Sequence, residues 1–135
     1  MMTDREVVIM MGYPGSGKTT IARALEERGY FRADGDILKT PAAMIREATK
    51  HVQQKSIVFD STAGTIDKRK IYIDFAKAHG LSARIIWVTT TIEESMQRNA
   101  TREKPVPNIA YWVYRAKFQA PDVWEGAIVE NHLQK

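Results

Sequence analysis

Cysteine is absent from this chain of 135 residues. That excludes disulfides and thiolate metal sites, and an intracellular, reducing compartment therefore costs the fold nothing; the expected location is cytoplasmic or otherwise intracellular. Histidine is scarce, and His51, His79 and His132 stand too far apart for ligand spacing, which leaves them no metal role. No apolar run approaches the roughly 20 residues of a membrane-spanning helix and no signal peptide is evident, so no membrane partner is expected. Internal repeats and low-complexity segments are also missing. The length suits one domain that buries roughly two thirds of its unfolded surface, with no room for a second catalytic domain.

What is present is ordinary for a soluble globular protein: 44% hydrophobic and 27% charged residues exclude a disordered or fibrous chain. Twenty Lys and Arg against 16 Asp and Glu leave a net charge of +4, which is compatible with a polyanionic substrate without demonstrating one. The distribution says more than the sum. One basic cluster, Lys68-Arg69-Lys70, reads as a solvated helix start; a second runs from Arg98 through Arg102 and Lys104 to Arg115 and Lys117 and is read as functional.

Apolar strands and amphipathic helices alternate along the chain. Strands are predicted at Val7 to Met11, Tyr30 to Ala33, Ser56 to Asp60, Ala83 to Val88 and Ala127 to Glu130. Helices are predicted from the residues after Lys18 to near Gly29, from Thr40-Pro41, from Asp67 to Ala78, from Ile92 through Arg98 and Arg102, and from Asn108 to Gln119. This alternation predicts an α/β fold with a central, mainly parallel five-stranded sheet and helices on both faces, a three-layer sandwich with ligands at the carboxyl ends of the strands.

The stretch Gly12-Tyr13-Pro14-Gly15-Ser16-Gly17-Lys18-Thr19-Thr20 matches the phosphate-binding loop G-x-x-x-x-G-K-[ST], and it lies between an apolar strand and a helix as that motif requires. Glycines let backbone N–H groups turn inward around a polyphosphate, and the helix adds the positive end of its dipole. The cradle suits ATP, with Lys18 expected to be exposed in the loop and to reach the β- and γ-phosphates, and the Thr19 hydroxyl holding Mg²⁺.

Phosphoryl transfer further needs a proton acceptor and positive charge over the transferred group. Asp34 and Asp36, beyond the second strand and free of an obvious neighbouring ion pair in sequence, are the candidate bases; an Asx turn around Gly35 is the plain alternative. Asp60, at the tip of a buried strand, is the candidate acid beside Mg²⁺. Arg98 and Arg102, one turn apart before the break Lys104-Pro105-Val106-Pro107, suggest a lid over the nucleotide phosphates, or a solvated face with Glu93 and Glu94. Tyr111, Tyr114 and Phe118 form a stripe that reads as core before it reads as a base-stacking platform.

Taken together, the chain resembles the kinase domain of the polynucleotide 5′-hydroxyl kinases. The resemblance rests on the phosphate loop; on Gly29-Tyr30 leading into Asp36-Ile37-Leu38-Lys39; on Phe59-Asp60-Ser61-Thr62; on Arg98-Asn99-Ala100-Thr101-Arg102-Glu103; and on Val106-Pro107 leading to Tyr114-Arg115-Ala116-Lys117-Phe118-Gln119-Ala120-Pro121. The last stretch discriminates best, because phosphate loops are shared by many families. The resemblance implies one P-loop kinase domain over residues 1–135, with an arginine-bearing lid at about 98–108. It implies Asp36 as general base toward a nucleic-acid 5′-hydroxyl, Lys18 and Arg102 on the transferring phosphoryl, and Thr19 on Mg²⁺. Arg98 falls to the nucleotide, and Lys39, Asp60 and Thr62 to the acceptor.

Two departures stand out. Asp34-Gly35 occupies the place of the family's usual Asn-Arg, and Asp60-Ser61-Thr62-Ala63 that of Asp-Asn-Thr-Asn. The first also resembles small-metabolite kinases such as gluconate or adenylyl-sulfate kinases. A non-catalytic nucleotide-binding module is a third reading, against which an acid facing Lys18 argues.

Overall fold

The computed structural model describes residues 4–103 and 105–132; Lys104, part of the expected break, lies outside the described residues. The strands are β1 (Glu6–Met11), β2 (Phe31–Asp34), β3 (Ile57–Asp60), β4 (Ser82–Val88) and β5 (Ile128–His132). The helices are α1 (Lys18–Glu27), α2 (Gly35–Leu38), α3 (Pro41–Thr49), α4 (Ile66–Ala78), α5 (Ile92–Ala100) and α6 (Ile109–Lys117), with a 3-10 turn at Val123–Glu125. The five strands form one sheet in the order β2-β3-β1-β4-β5, and every pairing is parallel.

Alternation along β1 decides the layers, because successive side chains of a strand point to opposite faces. Val7, Ile9 and Met11 join Ile57, Phe59 and Ile85 and pack under α3 and α4 through Met44, Ala48, Tyr72, Ile73 and Ala76. Val8 and Met10 join Val58 and Ile86 and pack under α1 through Ala22 and Leu25. The result is the expected three-layer sandwich, with β1 near the centre and its loop emerging at the carboxyl edge of the sheet.

Threonine caps start three helices. The hydroxyls of Thr40, Thr65 and Thr91 accept from the N–H groups of Ala43, Lys68 and Glu94; each such cap stabilises its helix by about 1 kcal/mol.

Around Gly35 the Asx bond is made, Asp34 accepting from the Asp36 N–H at 2.9 Å, and it caps the short helix α2. Two local expectations need correction. Helix α5 ends at Ala100, where Thr101 Oγ1 donates to the Arg98 carbonyl and the Arg102 N–H to that of Asn99, so Arg102 lies beyond the helix and shares no helical face with Arg98. Arg69 is not solvated at all: it is fully buried, with Nε on Glu125, Nη1 on the Ala63 carbonyl and Nη2 on the Gln119 carbonyl.

Candidate active site

The β1–α1 loop is shaped by its glycines. Gly15 has φ +77° and Gly17 φ +105°, in the left-handed region, and a Cβ on Gly15 would stand 2.8 Å from the Ser95 carbonyl oxygen. Only glycine fits that closely packed position without displacing backbone. Gly17 is the N-cap of α1 and supplies no side-chain cap, and the first turn carries no acid. The N–H groups of a helix start are orphan donors, and leaving them without an internal acceptor keeps them for an anion.

Other elements pin the loop from behind. The Ser16 carbonyl accepts from Thr90 Oγ1 at 2.6 Å and from Arg98 Nη1 at 3.1 Å. Tyr111, fully buried on α6, donates its hydroxyl to the Pro14 carbonyl, and the Gly12 N–H donates to the Thr62 carbonyl at 3.3 Å. Tyr13 stacks on Tyr111 and leans on Tyr114 with ring centroids 5.9 and 4.8 Å apart. The aromatic stripe of α6 is therefore core that backs the loop.

A cleft of about 720 Å³ opens in front of the loop. Of the residues expected at the site, Pro14, Gly15, Gly17, Lys18, Thr19, Thr20, Asp36, Lys39, Asp60, Thr62, Arg98 and Arg102 line it together. Gly12 and Tyr13 instead line a separate cavity of about 210 Å³ with Trp87, Tyr114 and Phe118. The Ser16 side chain is buried beneath the loop, its hydroxyl without a partner among the described residues.

Lys18 departs from the sequence expectation: only 9% of it is exposed. Burial lowers its pKa, against the fields of Asp60 and Asp36, which raise it.

The acids also differ from their expected freedom. Asp60 is held by Arg32, with Nη2 at 2.7 Å and Nε at 2.9 Å, and Arg32 Nη2 reaches Asp34 at 3.3 Å. Asp36, largely exposed, faces Arg102 Nη2 at 3.4 Å. Thus both Asp34 and Asp36 have ion-pair partners. The partner of Asp34 stands two residues earlier on the same strand, and that of Asp36 lies far along the chain.

Sequence reasoning missed Arg32, Arg69 and the loop-backing role of Tyr111. A signal for Arg69 exists: Arg69, Tyr72, Ile73 and Ala76 follow the i, i+3, i+4, i+7 spacing of a buried helical face. For Arg32 the only signal is its period-two spacing from Asp34.

The residues present fit a magnesium-bound polyphosphate. The uncapped start of α1, the buried Lys18 ammonium and the Arg98 and Arg102 guanidiniums bring donors and positive charge to the cleft. Thr19 Oγ1 stands 3.5 Å from Asp60 Oδ2, a pair of hard oxygens of the kind Mg²⁺ takes beside phosphate and water.

Comparison with known proteins agrees with this geometry. The chain is 36% identical over 129 residues to the bifunctional polynucleotide phosphatase/kinase of Schizosaccharomyces pombe, covering 90% of this chain and 32% of that protein. It spans about a third of the length of the curated relatives it matches. Among solved structures, Kti12 of Chaetomium thermophilum superposes with a TM-score of 0.75 at 18% identity, covering 95% of this chain and 88% of that one. A gluconokinase from Sinorhizobium meliloti superposes at 0.67 with 16% identity, covering 96% and 84%. These two likenesses concern the fold, a kinase-like P-loop architecture. The model of the AAA domain family matches residues 40–121, over half of the chain, and the chain belongs to this family.

Proposed function

We propose that the protein transfers the γ-phosphoryl group of ATP to the 5′-hydroxyl end of a nucleic acid, acting as one P-loop kinase domain with a lid at about 98–108. The observation that carries this reading is the position of Asp36: an exposed carboxylate that lines the cleft with Lys18, stands three residues before Lys39 and pairs with Arg102. The similarity to the Schizosaccharomyces pombe polynucleotide phosphatase/kinase supports the acceptor class.

In this reading the cradle formed by Pro14, Gly15 and Gly17 through Thr20 orients the ATP phosphates, with Gly12, Tyr13 and Ser16 shaping the cradle from behind. The acceptor oxygen attacks the γ-phosphorus, the bond to the ADP oxygen breaks, and the hydroxyl proton passes to the Asp36 carboxylate. Lys18 and Arg102 stabilise charge on the transferring group, and Arg98 joins the loop to α5 through the Ser16 carbonyl. Thr19 would hold magnesium through its hydroxyl with Asp60 beside it, and the ion would supply further positive charge to the phosphates. Because Arg32 grips Asp60 through Oδ2, that carboxylate is fixed in orientation. Lys39, Asp60 and Thr62 form the acceptor side.

A small-metabolite kinase is the second reading, favoured by the likeness in fold to the gluconokinase. It calls on Asp34 and Asp36 to hold a sugar or nucleotide hydroxyl. Asp34 is engaged by Arg32 and by the Asp36 N–H, which leaves Asp36 as the acid open to such a hydroxyl. The deciding experiment is transfer of labelled γ-phosphate from ATP to a 5′-hydroxyl oligonucleotide, run beside gluconate, shikimate and free nucleosides. The oligonucleotide should be the best acceptor, and Asp36→Asn should stop transfer while both substrates still bind. Preference for gluconate, or full turnover by Asp36→Asn, would overturn the proposal.

A further inference from the structure

The charges around the cleft do not balance on its acceptor side. Its cationic lining residues are Lys18, Arg23, Lys39, Lys68, Arg98 and Arg102, against the carboxylates of Asp36 and Asp60. Asp60 is already neutralised by Arg32, which lies outside the lining, and Asp36 faces Arg102. Lys18 belongs to the phosphate loop, and Arg98 on α5 donates to the Ser16 carbonyl of that loop. Arg23, Lys39 and Lys68 are left, all exposed and none in an ion pair among the described residues; Arg23 stands on α1, the helix that follows the phosphate loop, which leaves the two lysines for the acceptor.

Lys68 is held toward the cleft by its helix. It stands in the first turn of α4, where Thr65 caps its N–H, and the adjacent Arg69 is locked in the core by four hydrogen-bonding partners on three other segments: Ala63, Gln119, Glu125 and Met11. A residue four positions on shares a helical face. For Lys68 that residue is Tyr72, which also lines the cleft, whereas Lys70 pairs with Asp74 at 2.5 Å and faces away. The three consecutive basic residues thus have three different fates, and only Lys68 turns an unpaired ammonium to the site.

We propose that Lys68 binds a second phosphate of the acceptor, beyond the one held by Lys39, so that the site prefers an acceptor strand carrying at least two phosphates. The inference rests on the nucleic-acid reading given above and deepens it. An acceptor with one anionic group satisfies one of the two free lysines; a strand with two phosphates satisfies both and releases counterions from each.

The test compares a nucleoside 3′-monophosphate with a dinucleotide that carries one internucleotide and one 3′-terminal phosphate, both with free 5′-hydroxyls, in steady-state transfer from ATP. The native protein should show a KM lower for the two-phosphate acceptor by about fivefold, the scale of one partly exposed ion pair near 1 kcal/mol. In Lys68→Ala the ratio of the two KM values should collapse toward one, and Lys68→Arg should restore it. The salt dependence of oligonucleotide binding by Lys68→Ala should flatten by about 0.7 in log–log slope, one single-strand phosphate contact. Lys70→Ala should keep the native ratio. Oligonucleotides phosphorylated with no gain from the second phosphate, and an unaltered ratio in Lys68→Ala, would overturn the role of Lys68 and leave the acceptor class standing. Failure to phosphorylate any oligonucleotide, with gluconate used instead, would overturn both.

Discussion

Lys18 shows how a motif residue acquires chemistry that its motif does not describe. The signature says that a lysine reaches phosphate; the fold adds that this ammonium is buried, with its pKa lowered by desolvation despite the acids opposite. A bound polyphosphate favours the charged form and raises the pKa again, so nucleotide binding takes up a proton at any pH between the two values. Affinity for ATP should therefore fall as pH rises through the depressed value. Calorimetry in buffers of different ionisation enthalpy should detect the proton, and Lys18→Ala should abolish both the uptake and transfer. For the free protein the sign is that of a depressed carboxyl and the reverse of the usual lysine case. The unfolded chain holds the proton more tightly than the folded one, so stability should increase as pH climbs from the depressed value toward the ordinary lysine range. Absence of proton uptake on ATP binding would show that Lys18 stays fully charged in the free cleft.

At the scale of elements, α4 and α6 carry out work that their sequences only half disclose. The turn from Ala63 to Ile66 carries the chain away from Asp60 and Thr62, and three contacts hold it. Arg69 binds the Ala63 carbonyl, the Gln119 N–H donates to the Gly64 carbonyl, and Gln119 Oε1 accepts from the Ile66 N–H. Tyr114 Oη donates to the Thr62 carbonyl from the other side. The stretch from Tyr114 to Pro121, the most distinctive part of the family resemblance, is thus physically a brace between the β1–α1 loop and the turn after β3. Arg69→Leu should leave Glu125 buried without its cation and destabilise the protein by about 3–5 kcal/mol. The double change Arg69→Leu with Glu125→Leu should lose much less. Urea unfolding of the four proteins of this cycle checks it; equal losses in the single and the double variant would mean that the hydrogen bonds to Ala63 and Gln119, rather than the pair, hold the brace. The short helix α2 gives the complementary lesson. Asp, Gly and Asp read as a turn because such residues favour local backbone bonds, and the same Asx bond, once made to Asp36, starts a helix instead.

Across the whole molecule the cleft at the carboxyl ends of the strands is matched by an ionic cluster elsewhere in the sheet. Glu6 on β1 accepts from Arg84 on β4 at 3.1 and 2.7 Å and from the Tyr30 hydroxyl just before β2, and Arg84 also pairs with Glu130 on β5. Burial pushes the Glu6 pKa up, but the bonds from Arg84 and Tyr30 outweigh it and leave the net value lowered. A lowered carboxyl stabilises the fold above its unfolded value and ceases to do so as pH falls through its folded value. Acid unfolding of Glu6→Gln should accordingly begin from a lower stability at neutral pH and show a shallower loss on acidification than the native protein. Parallel acid curves would place the pH sensitivity elsewhere.

The succession of strands and helices is legible along the chain because apolar runs, glycine loops and caps are local signals, and all five strands and the β1–α1 loop lie close to where these signals stand. The sequence by itself also determines that Asp36, Asp60 and the phosphate loop share an edge, since parallel strands put all their carboxyl ends on one side. What only the tertiary structure decided is which charges meet. Arg32 with Asp60, Arg69 with Glu125 and Arg102 with Asp36 are separated by 28, 56 and 66 residues. Nothing in local periodicity ranks one such pair above another; strand register, helix rotation and the burial of one basic residue among three neighbours do, because desolvation leaves a charge inside only where the fold has already placed its partner.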